Sequence, residues 1–163
     1  MQFAKSTDYA LHALVHLANS DPEYKIGIKE LANMLHVSES YLSKIMTKLR
    51  KDGIIRAVPG VKGGYELSRS ASDITFLDVI LSTEGRQQMF TCSNSDSRQH
   101  TLLTDESNGR LMDKEKNQGV CRIKEIMDNA ESALHQFLKN QSIQSIVDKS
   151  NKDCNNHLLK ERD

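Results

Sequence analysis

The fold is decided by residues 36–55, HVSESYLSKIMTKLRKDGII. Ser38 is a favourable helix N-cap, and apolar residues follow it at three- and four-residue spacing. Gly53 lies where a helix C-terminus favours a left-handed residue, so we expect a helix from Ser38 to about Lys51. The residues predicted to face inward are Leu42, Ile45, Met46 and Leu49. The rest of this helix is polar or basic and is expected to face outward.

Short predicted elements flank this helix on both sides. Residues 28–35 have the apolar spacing of another helix, and His36-Val37-Ser38 forms the turn between the two. After the central helix, apolar runs at 54–58 and 65–68 surround a glycine-rich segment at 59–64, which predicts a β-hairpin. Helix, three-residue turn, helix and hairpin follow one another in the order of a winged helix-turn-helix.

Three further helices are expected. The first begins near the N-terminus, with Ser6 or Thr7 as its N-cap and Asp8 in its first turn. A short helix is predicted over residues 74–81, and a long one over residues 121–141, which carries a wide apolar stripe. The chain is therefore predicted to be mainly α-helical.

The distribution of charge favours DNA as a partner. Lys and Arg total 22, as do Asp and Glu, but residues 1–70 hold ten basic and seven acidic side chains. A polar helix face can enter the major groove while lysines neutralise phosphates, and a basic hairpin can approach the minor groove. The predicted DNA contacts are Ser38, Glu39, Ser40, Tyr41, Lys44, Lys48, Arg50, Lys62, Gly63 and Gly64. A helix-turn-helix that contacts proteins instead of DNA is the alternative interpretation.

Other classes of protein fit the sequence less well. The chain contains no phosphate loop, nucleophile elbow or paired-carboxylate site in an apolar setting, so we expect that it is not an enzyme. No apolar run is long enough to cross a bilayer, and the first residues lack the pattern of a secretory signal. We therefore expect a cytoplasmic protein without a membrane partner, in which free thiols stay reduced.

Four stretches resemble one bacterial protein family. Residues 7–11, 38–45, 49–55 and 60–67 are similar to the motifs of the Rrf-two family of winged helix-turn-helix transcription regulators, which includes regulators of the IscR and NsrR type. The resemblance implies a homodimer whose long helices cross, with two DNA-binding heads on a palindromic operator in double-stranded DNA. It also implies the role of a transcription regulator, and we expect a repressor.

On this interpretation the chain has four parts. Residues 1–81 form the winged helix-turn-helix domain with its small β-hairpin wing, and residues 82–120 form a flexible sensor loop. Residues 121–145 form the long dimerisation helix, and residues 146–163 form a disordered tail rich in Asn and charge.

The sensor chemistry is expected to involve two cysteines of the loop region. Cluster-binding members of the family usually carry three closely spaced cysteines there, whereas this chain has Cys92 and Cys121, with Cys154 in the predicted tail. Asp8 and His12 lie four residues apart and thus on one helical face, a spacing that suits two metal ligands. The resemblance implies a two-iron two-sulfur (2Fe-2S) cluster held by Asp8 and His12 of one subunit and the two loop cysteines of the other.

Two alternatives remain for these residues. The two cysteines can form a reversible disulfide that responds to oxidants, so that the regulator senses redox state without a cluster. They can also be small buried apolar residues without sensor chemistry, while Asp8 stabilises its helix N-terminus and His12 lies on the surface.

Overall fold

A computed structural model describes residues 2–21, 24–60, 63–93 and 121–150 of the chain. These residues form α1 (Lys5–Asn19), α2 (Ile28–Met34), α3 (Glu39–Lys51), β1 (Ile55–Val58), β2 (Gly64–Leu67), a 3-10 turn (Ala71–Asp73), α4 (Phe76–Glu84) and α5 (Arg122–Lys139). Residues 143–150 are also helical. The predicted mainly α architecture with a two-stranded hairpin is confirmed. The chain divides into two compact units, residues 87–137 and the remainder.

The core of the first unit forms where α1 packs against α3. Four side chains of α3 are buried there, namely Leu42, Ile45, Met46 and Leu49, as the sequence predicted. From α1 the core receives Ala10, Ala13, Leu14 and Leu17. Because all of α3's inward positions are occupied by these contacts, its other faces are left for solvent or a partner.

The start of α1 differs from the prediction. Its N-cap is Ala4, which makes no side-chain cap, rather than Ser6 or Thr7. Thr7 is buried inside the first unit, where its hydroxyl lies 2.7 Å from the hydroxyl of Thr83 and donates to Glu84 Oε1 at 2.6 Å. A tertiary contact has replaced the local cap. Asp8 does lie in the first turn of α1.

The turn and both ends of α3 agree with the sequence-based interpretation. His36 takes a positive φ of 53° in the turn after α2, and Ser38 Oγ accepts the backbone N–H of Tyr41 at 3.3 Å. At the other end, Gly53 has a φ of 69°, and the N–H of Ile54 donates to the carbonyl of Leu49 at 2.9 Å. With the Gly53 N–H bonded to Arg50 O, this is a Schellman motif, which satisfies the last carbonyls of the helix.

The wing is an antiparallel hairpin with one additional pairing. β1 and β2 pair from Ile55 opposite Leu67 to Val58 opposite Gly64. The backbone of Ile26 joins on the other side of β2, where it accepts the N–H of Tyr65 at 2.9 Å. Ile26 is buried and was not predicted to take part in the sheet. This pairing ties β2 of the wing to the segment before α2.

α4 is fixed at its N-terminus by side-chain hydrogen bonds. The helix has a capping box, in which the Thr75 hydroxyl accepts from Asp78 N and the Asp78 carboxylate accepts from Thr75 N. The helix spans Phe76–Glu84, so the prediction of residues 74–81 began two residues early and ended three residues early.

The end of the described chain differs from the predicted boundaries. α5 ends at Lys139, and the helical residues 143–150 include the buried side chains of Ile143 and Val147. Ile143 N also donates to Ile74 O at 2.9 Å. Residues 146–150 thus belong to the fold, although the sequence placed them in a tail. The rest of that predicted tail, residues 151–163, lies outside the described residues, as do residues 94–120 of the predicted loop.

The second unit contains most of α5. Met89 N donates to the Glu131 carboxylate at 3.2 Å, which holds the segment after Gln87 against this helix. Large apolar side chains of α5 are exposed, namely Ile123, Ile126, Met127 and Phe137. Within the described residues no helix has the length and hydropathy to cross a membrane.

Candidate DNA-contact surface and sensor residues

The N-terminal end of α3 presents a group of polar side chains to solvent. Ser38, Glu39, Ser40 and Tyr41 are all exposed, and Ser38 Oγ lies 3.4 Å from Ser40 Oγ. Because Ser38 also caps the helix, these residues occupy its first turn in a fixed backbone arrangement. The N-terminal residues of a recognition helix are those that meet base edges in the major groove.

Tyr41 is held by a residue that the sequence interpretation missed. The ring of Tyr9, on α1, meets the ring of Tyr41 edge-to-face, with centroids 5.8 Å apart and an interplanar angle of 85°. Tyr9 is half-buried against the core, whereas Tyr41 remains 37% exposed. The two residues are far apart in sequence, and no local pattern connects them.

The three basic residues of α3 that were predicted to contact DNA fall into two groups. Lys44 and Arg50 are exposed, and neither takes part in an ion pair within the described part of the chain. Lys48 instead donates from Nζ to the backbone carbonyl of Thr83 at 2.7 Å, near the end of α4. Lys44 and Arg50 are therefore available to phosphates, whereas the ammonium group of Lys48 already has a protein acceptor.

Much of the wing's positive charge is neutralised within the protein. The Glu66 carboxylate accepts from both Lys25 and Arg56. These two hydrogen bonds, first that from Lys25 and then that from Arg56, hold the pKa of Glu66 below its ordinary value of 4.5. Lys62, the predicted minor-groove contact, lies outside the described residues.

The two wing glycines are required by the protein's own backbone. A Cβ on Gly63 would lie 2.3 Å from Val58 O, and one on Gly64 would lie 2.6 Å from Ile26 O. Both distances are far shorter than van der Waals contact, so close packing within the hairpin and against the segment before α2 explains these glycines without invoking DNA.

The predicted metal ligands of α1 are brought together. His12 Nδ1 lies 3.1 Å from Asp8 Oδ1 and 2.9 Å from the backbone carbonyl of Asp8. Both side chains are about two-thirds exposed, at 64% for Asp8 and 65% for His12. This pair is accessible from solvent, and its four-residue spacing places both groups on one face of the helix, as predicted.

The two loop cysteines are also brought together, within the second unit. Both are free thiols, Cys121 buried and Cys92 half-buried. Cys121 directly precedes α5, and its carbonyl accepts the N–H of Glu125 at 2.9 Å. Backbone hydrogen bonds from Lys124 and, more weakly, Ile123 lower the pKa of the Cys121 thiol from 9.0; a hydrogen bond from Cys92 adds to this effect and burial opposes it. A thiol at a helix N-terminus is a reactive one, because the helix stabilises the thiolate.

Comparison with known proteins decides the family. A family model described as Rrf2, iron-dependent transcriptional regulator, matches residues 3–149. The chain belongs to the Rrf2 family. The family expected from the sequence motifs is thereby confirmed, and the protein is a helix-turn-helix transcriptional regulator, not an enzyme.

Two relatives of the Rrf2 chain match it over nearly their whole length. YffB of Lactococcus lactis, named as an HTH-type transcriptional regulator, is 31% identical over 161 residues, 99% of this chain and 96% of its own. The HTH-type transcriptional regulator NsrR of Shouchella clausii is 27% identical over 148 residues, covering 90% of this chain and 89% of its own.

Solved structures show the same Rrf2 fold. CymR of B. subtilis, called the global cysteine regulator, has a TM-score of 0.65 at 19% identity and covers 91% of this chain and 98% of its own. IscR of T. potens has a TM-score of 0.65 at 21% identity, covering 92% of this chain and 88% of its own. Both similarities support the winged-helix fold predicted from the sequence.

Proposed function

We propose that this Rrf2 regulator binds a palindromic site in double-stranded DNA as a homodimer, represses transcription there, and changes its DNA affinity with the chemical state of Cys92 and Cys121. The interaction of the Cys92 side chain with the Cys121 thiol, which contributes to the lowered pKa of Cys121, supports the sensor part of this proposal. The exposed first turn of α3 carries the DNA-binding part.

DNA recognition is assigned to α3 and the wing. Ser38, Glu39, Ser40 and Tyr41 face the base edges, while Lys44 and Arg50 contact phosphates. Lys62 and the backbone at Gly63 and Gly64 approach the adjacent minor groove. Lys48 contributes mainly by fixing α3 against α4, because its ammonium group donates to Thr83 O.

Dimerisation is assigned to the apolar stripe of α5. Ile126 and Phe137 are 68% and 62% exposed, and Ile123 and Met127 extend the same stripe. A stripe of this size on a regulator marks a protein interface, because contiguous exposed apolar surface is unfavourable in water. A two-fold dimer places its recognition helices on half-sites about 34–36 Å apart, one turn of DNA.

The first candidate for the sensor is a 2Fe-2S cluster. No group of three or more His, Cys, Asp or Glu side chains comes together within the described residues, so each ligand pair supplies two ligands by itself. Asp8 and His12 of one copy with Cys92 and Cys121 of the other complete a set of four. A bound cluster supplies one-electron redox chemistry, and the lowered thiol pKa of Cys121 favours the thiolate that iron requires. The family's description as iron-dependent supports this candidate.

The second candidate is a dithiol switch, which the proximity of two free thiols, Cys92 and Cys121, favours. The Cys121 thiolate attacks an oxidised low-molecular-weight disulfide, releases one thiol and forms a mixed disulfide. The Cys92 sulfur then displaces the second thiol and loses its proton, which leaves a Cys92–Cys121 disulfide. Two electrons and two protons have then passed to the small disulfide.

Anaerobic purification tests the sensor, with a visible absorption spectrum and iron and sulfide analysis. We expect colour, iron and sulfide in the wild type, and their loss in Cys92→Ser/Cys121→Ser and in Asp8→Ala/His12→Ala, with Cys154→Ser as the matched control. An iron-free protein whose DNA affinity changes with oxidised glutathione, but not in Cys92→Ser, supports the dithiol switch. A protein that has neither iron nor a redox-dependent DNA affinity refutes the sensor assignment.

Separate measurements test the dimer, the DNA contacts and the sign of regulation. Analytical ultracentrifugation should show a dimer for the wild type and a monomer for Ile126→Glu/Phe137→Glu. A duplex selected with the wild-type protein from a random-sequence pool should contain a palindrome, and Lys44→Ala should weaken binding to any sequence. The protein should reduce transcription in vitro from a promoter that contains the selected duplex. A stable wild-type monomer, or selection without a palindrome, contradicts the dimeric interpretation.

A further inference from the structure

The edge-to-face pair of Tyr9 and Tyr41 connects the core of the first unit to its DNA-contact surface. Tyr41 lies on the exposed first turn of α3, and its backbone N–H is fixed by Ser38 Oγ at 3.3 Å. The ring centroids of the two tyrosines are 5.8 Å apart at 85°. Tyr9 is packed against the hydrophobic core and is therefore the less mobile of the two.

We propose that Tyr9 is a positioning residue for base recognition, because it holds the Tyr41 ring in the orientation that meets DNA. A tyrosine on a helix surface has two main side-chain rotamers, and a contact made in one of them selects it. Selecting the rotamer before binding removes the entropy that ordering the ring would otherwise cost. This role rests on the proposed function, in which Tyr41 contacts bases.

The size and character of the effect follow from the contact. An edge-to-face aromatic pair is worth about a two- to tenfold change in an equilibrium constant. Tyr9 carries no charge, so its loss leaves the number of phosphate contacts and the salt dependence of binding unchanged. Discrimination between DNA sequences, rather than overall DNA affinity, is the quantity that Tyr9 controls.

The test compares Tyr9→Leu, Tyr9→Phe, Tyr41→Leu and the double variant Tyr9→Leu/Tyr41→Leu in the full chain. Tyr24→Leu is the matched control, because Tyr24 is exposed and bonds Glu30 rather than α3. Dissociation constants are measured for a duplex selected with the wild type and for a scrambled duplex of the same composition, over a salt series. If thermal unfolding shows that Tyr9→Leu does not fold, Tyr9→Met replaces it.

We expect Tyr9→Leu to reduce the ratio of the two affinities about two- to tenfold with an unchanged salt slope. Tyr9→Phe and Tyr24→Leu should keep the ratio, and the double variant should lose no more discrimination than Tyr41→Leu alone. Equal weakening on both duplexes in Tyr9→Leu, or additive losses in the double variant, overturns the positioning role while leaving base contact by Tyr41 intact. An unchanged ratio in Tyr41→Leu overturns base contact by Tyr41 and the role of Tyr9 with it.

Discussion

Replacing Lys48 by Met is expected to affect the stability of the fold more than its attraction to DNA. Lys48 Nζ donates to Thr83 O at 2.7 Å, and α4 ends at Glu84. The Thr83 carbonyl is thus among the last four of its helix, which lack an intrahelical donor and carry the negative end of the helix dipole. A hydrogen bond from a charged group is worth about 1.5–3 kcal/mol, and because Lys48 is exposed the lower value applies. We expect a decrease of about 1.5 kcal/mol in the free energy of unfolding.

Lys44→Met is the matched control, one turn earlier on α3. Urea unfolding at a single protein concentration should place it within about 0.5 kcal/mol of the wild type. In DNA titrations over a salt series, Lys44→Met should reduce the slope of log K against log salt by about 0.9 for each phosphate that the variant no longer neutralises, and Lys48→Met by much less. Wild-type stability in Lys48→Met, with the same reduction of the salt slope as in Lys44→Met, would refute this reasoning.

The Glu66 ion pairs, the Cys121 thiol and the close packing at Gly64 can each be tested in solution. Hydrogen bonds from Lys25 and Arg56 hold the Glu66 pKa below 4.5. The wild type should therefore be more stable than Glu66→Gln, with the full difference above pH 4.5 and a loss of the difference as the pH falls through the lowered pKa. Urea unfolding over a pH series tests this, and a difference unchanged at about pH 2 contradicts it. The rate of Cys121 alkylation by iodoacetamide, followed by peptide mass spectrometry, should have its pH midpoint below 9.0, and this midpoint should rise in Cys92→Ser. A wild-type midpoint at or above 9.0 refutes the lowered pKa. Gly64→Ala should lower the free energy of unfolding in urea by at least about 2 kcal/mol, because the new Cβ would lie 2.6 Å from Ile26 O. Gly27→Ala, whose Cβ would have nothing within 4 Å, should lower it by less than about 1 kcal/mol. Equal losses contradict the steric explanation.

The sequence predicts α3 well because all of its determinants are local. The Ser38 cap, the buried face from Leu42 to Leu49 and the Gly53 stop lie within one short stretch, and each acts on its immediate neighbours. The hairpin follows for the same reason, since two apolar runs surround a glycine-rich turn. Local rules therefore predict the position of α3 to within one residue.

The features that escaped prediction depend on contacts between distant parts of the chain. Thr7 looks like a helix cap until Thr83 and Glu84 are placed beside it. Position 64 requires a glycine because the carbonyl of Ile26 lies beside it, and this contact cannot be known before the wing is folded. Of the site, the residue types of α3 and the Asp8–His12 spacing could be predicted, but not which lysine has a protein acceptor. Spacing cannot supply that information, because the acceptor of Lys48 is a backbone carbonyl in another helix.

The positive charge available to DNA is smaller than the sequence indicates, so we expect the salt dependence of DNA affinity to be moderate. Arg56 is paired with Glu66, Arg69 bonds Asp78 at 3.0 Å, and Lys48 has a carbonyl acceptor. In the described part of the chain, α3 retains three cations with neither an ion pair nor a protein acceptor, namely Lys44, Arg50 and Lys51.

At about 0.9 per phosphate, two such helices in a dimer give a slope of log K against log salt of about −5, and about −7 if Lys62 of each wing also contacts DNA. A slope steeper than about −10 would show that further cations, beyond those of α3 and Lys62, also contact phosphates. In the proposed mode of binding, phosphate contacts carry no direct sequence information, so the preference for one sequence comes from base contacts at the first turn of α3. The orientation of Tyr41 then becomes important for the function of the whole regulator.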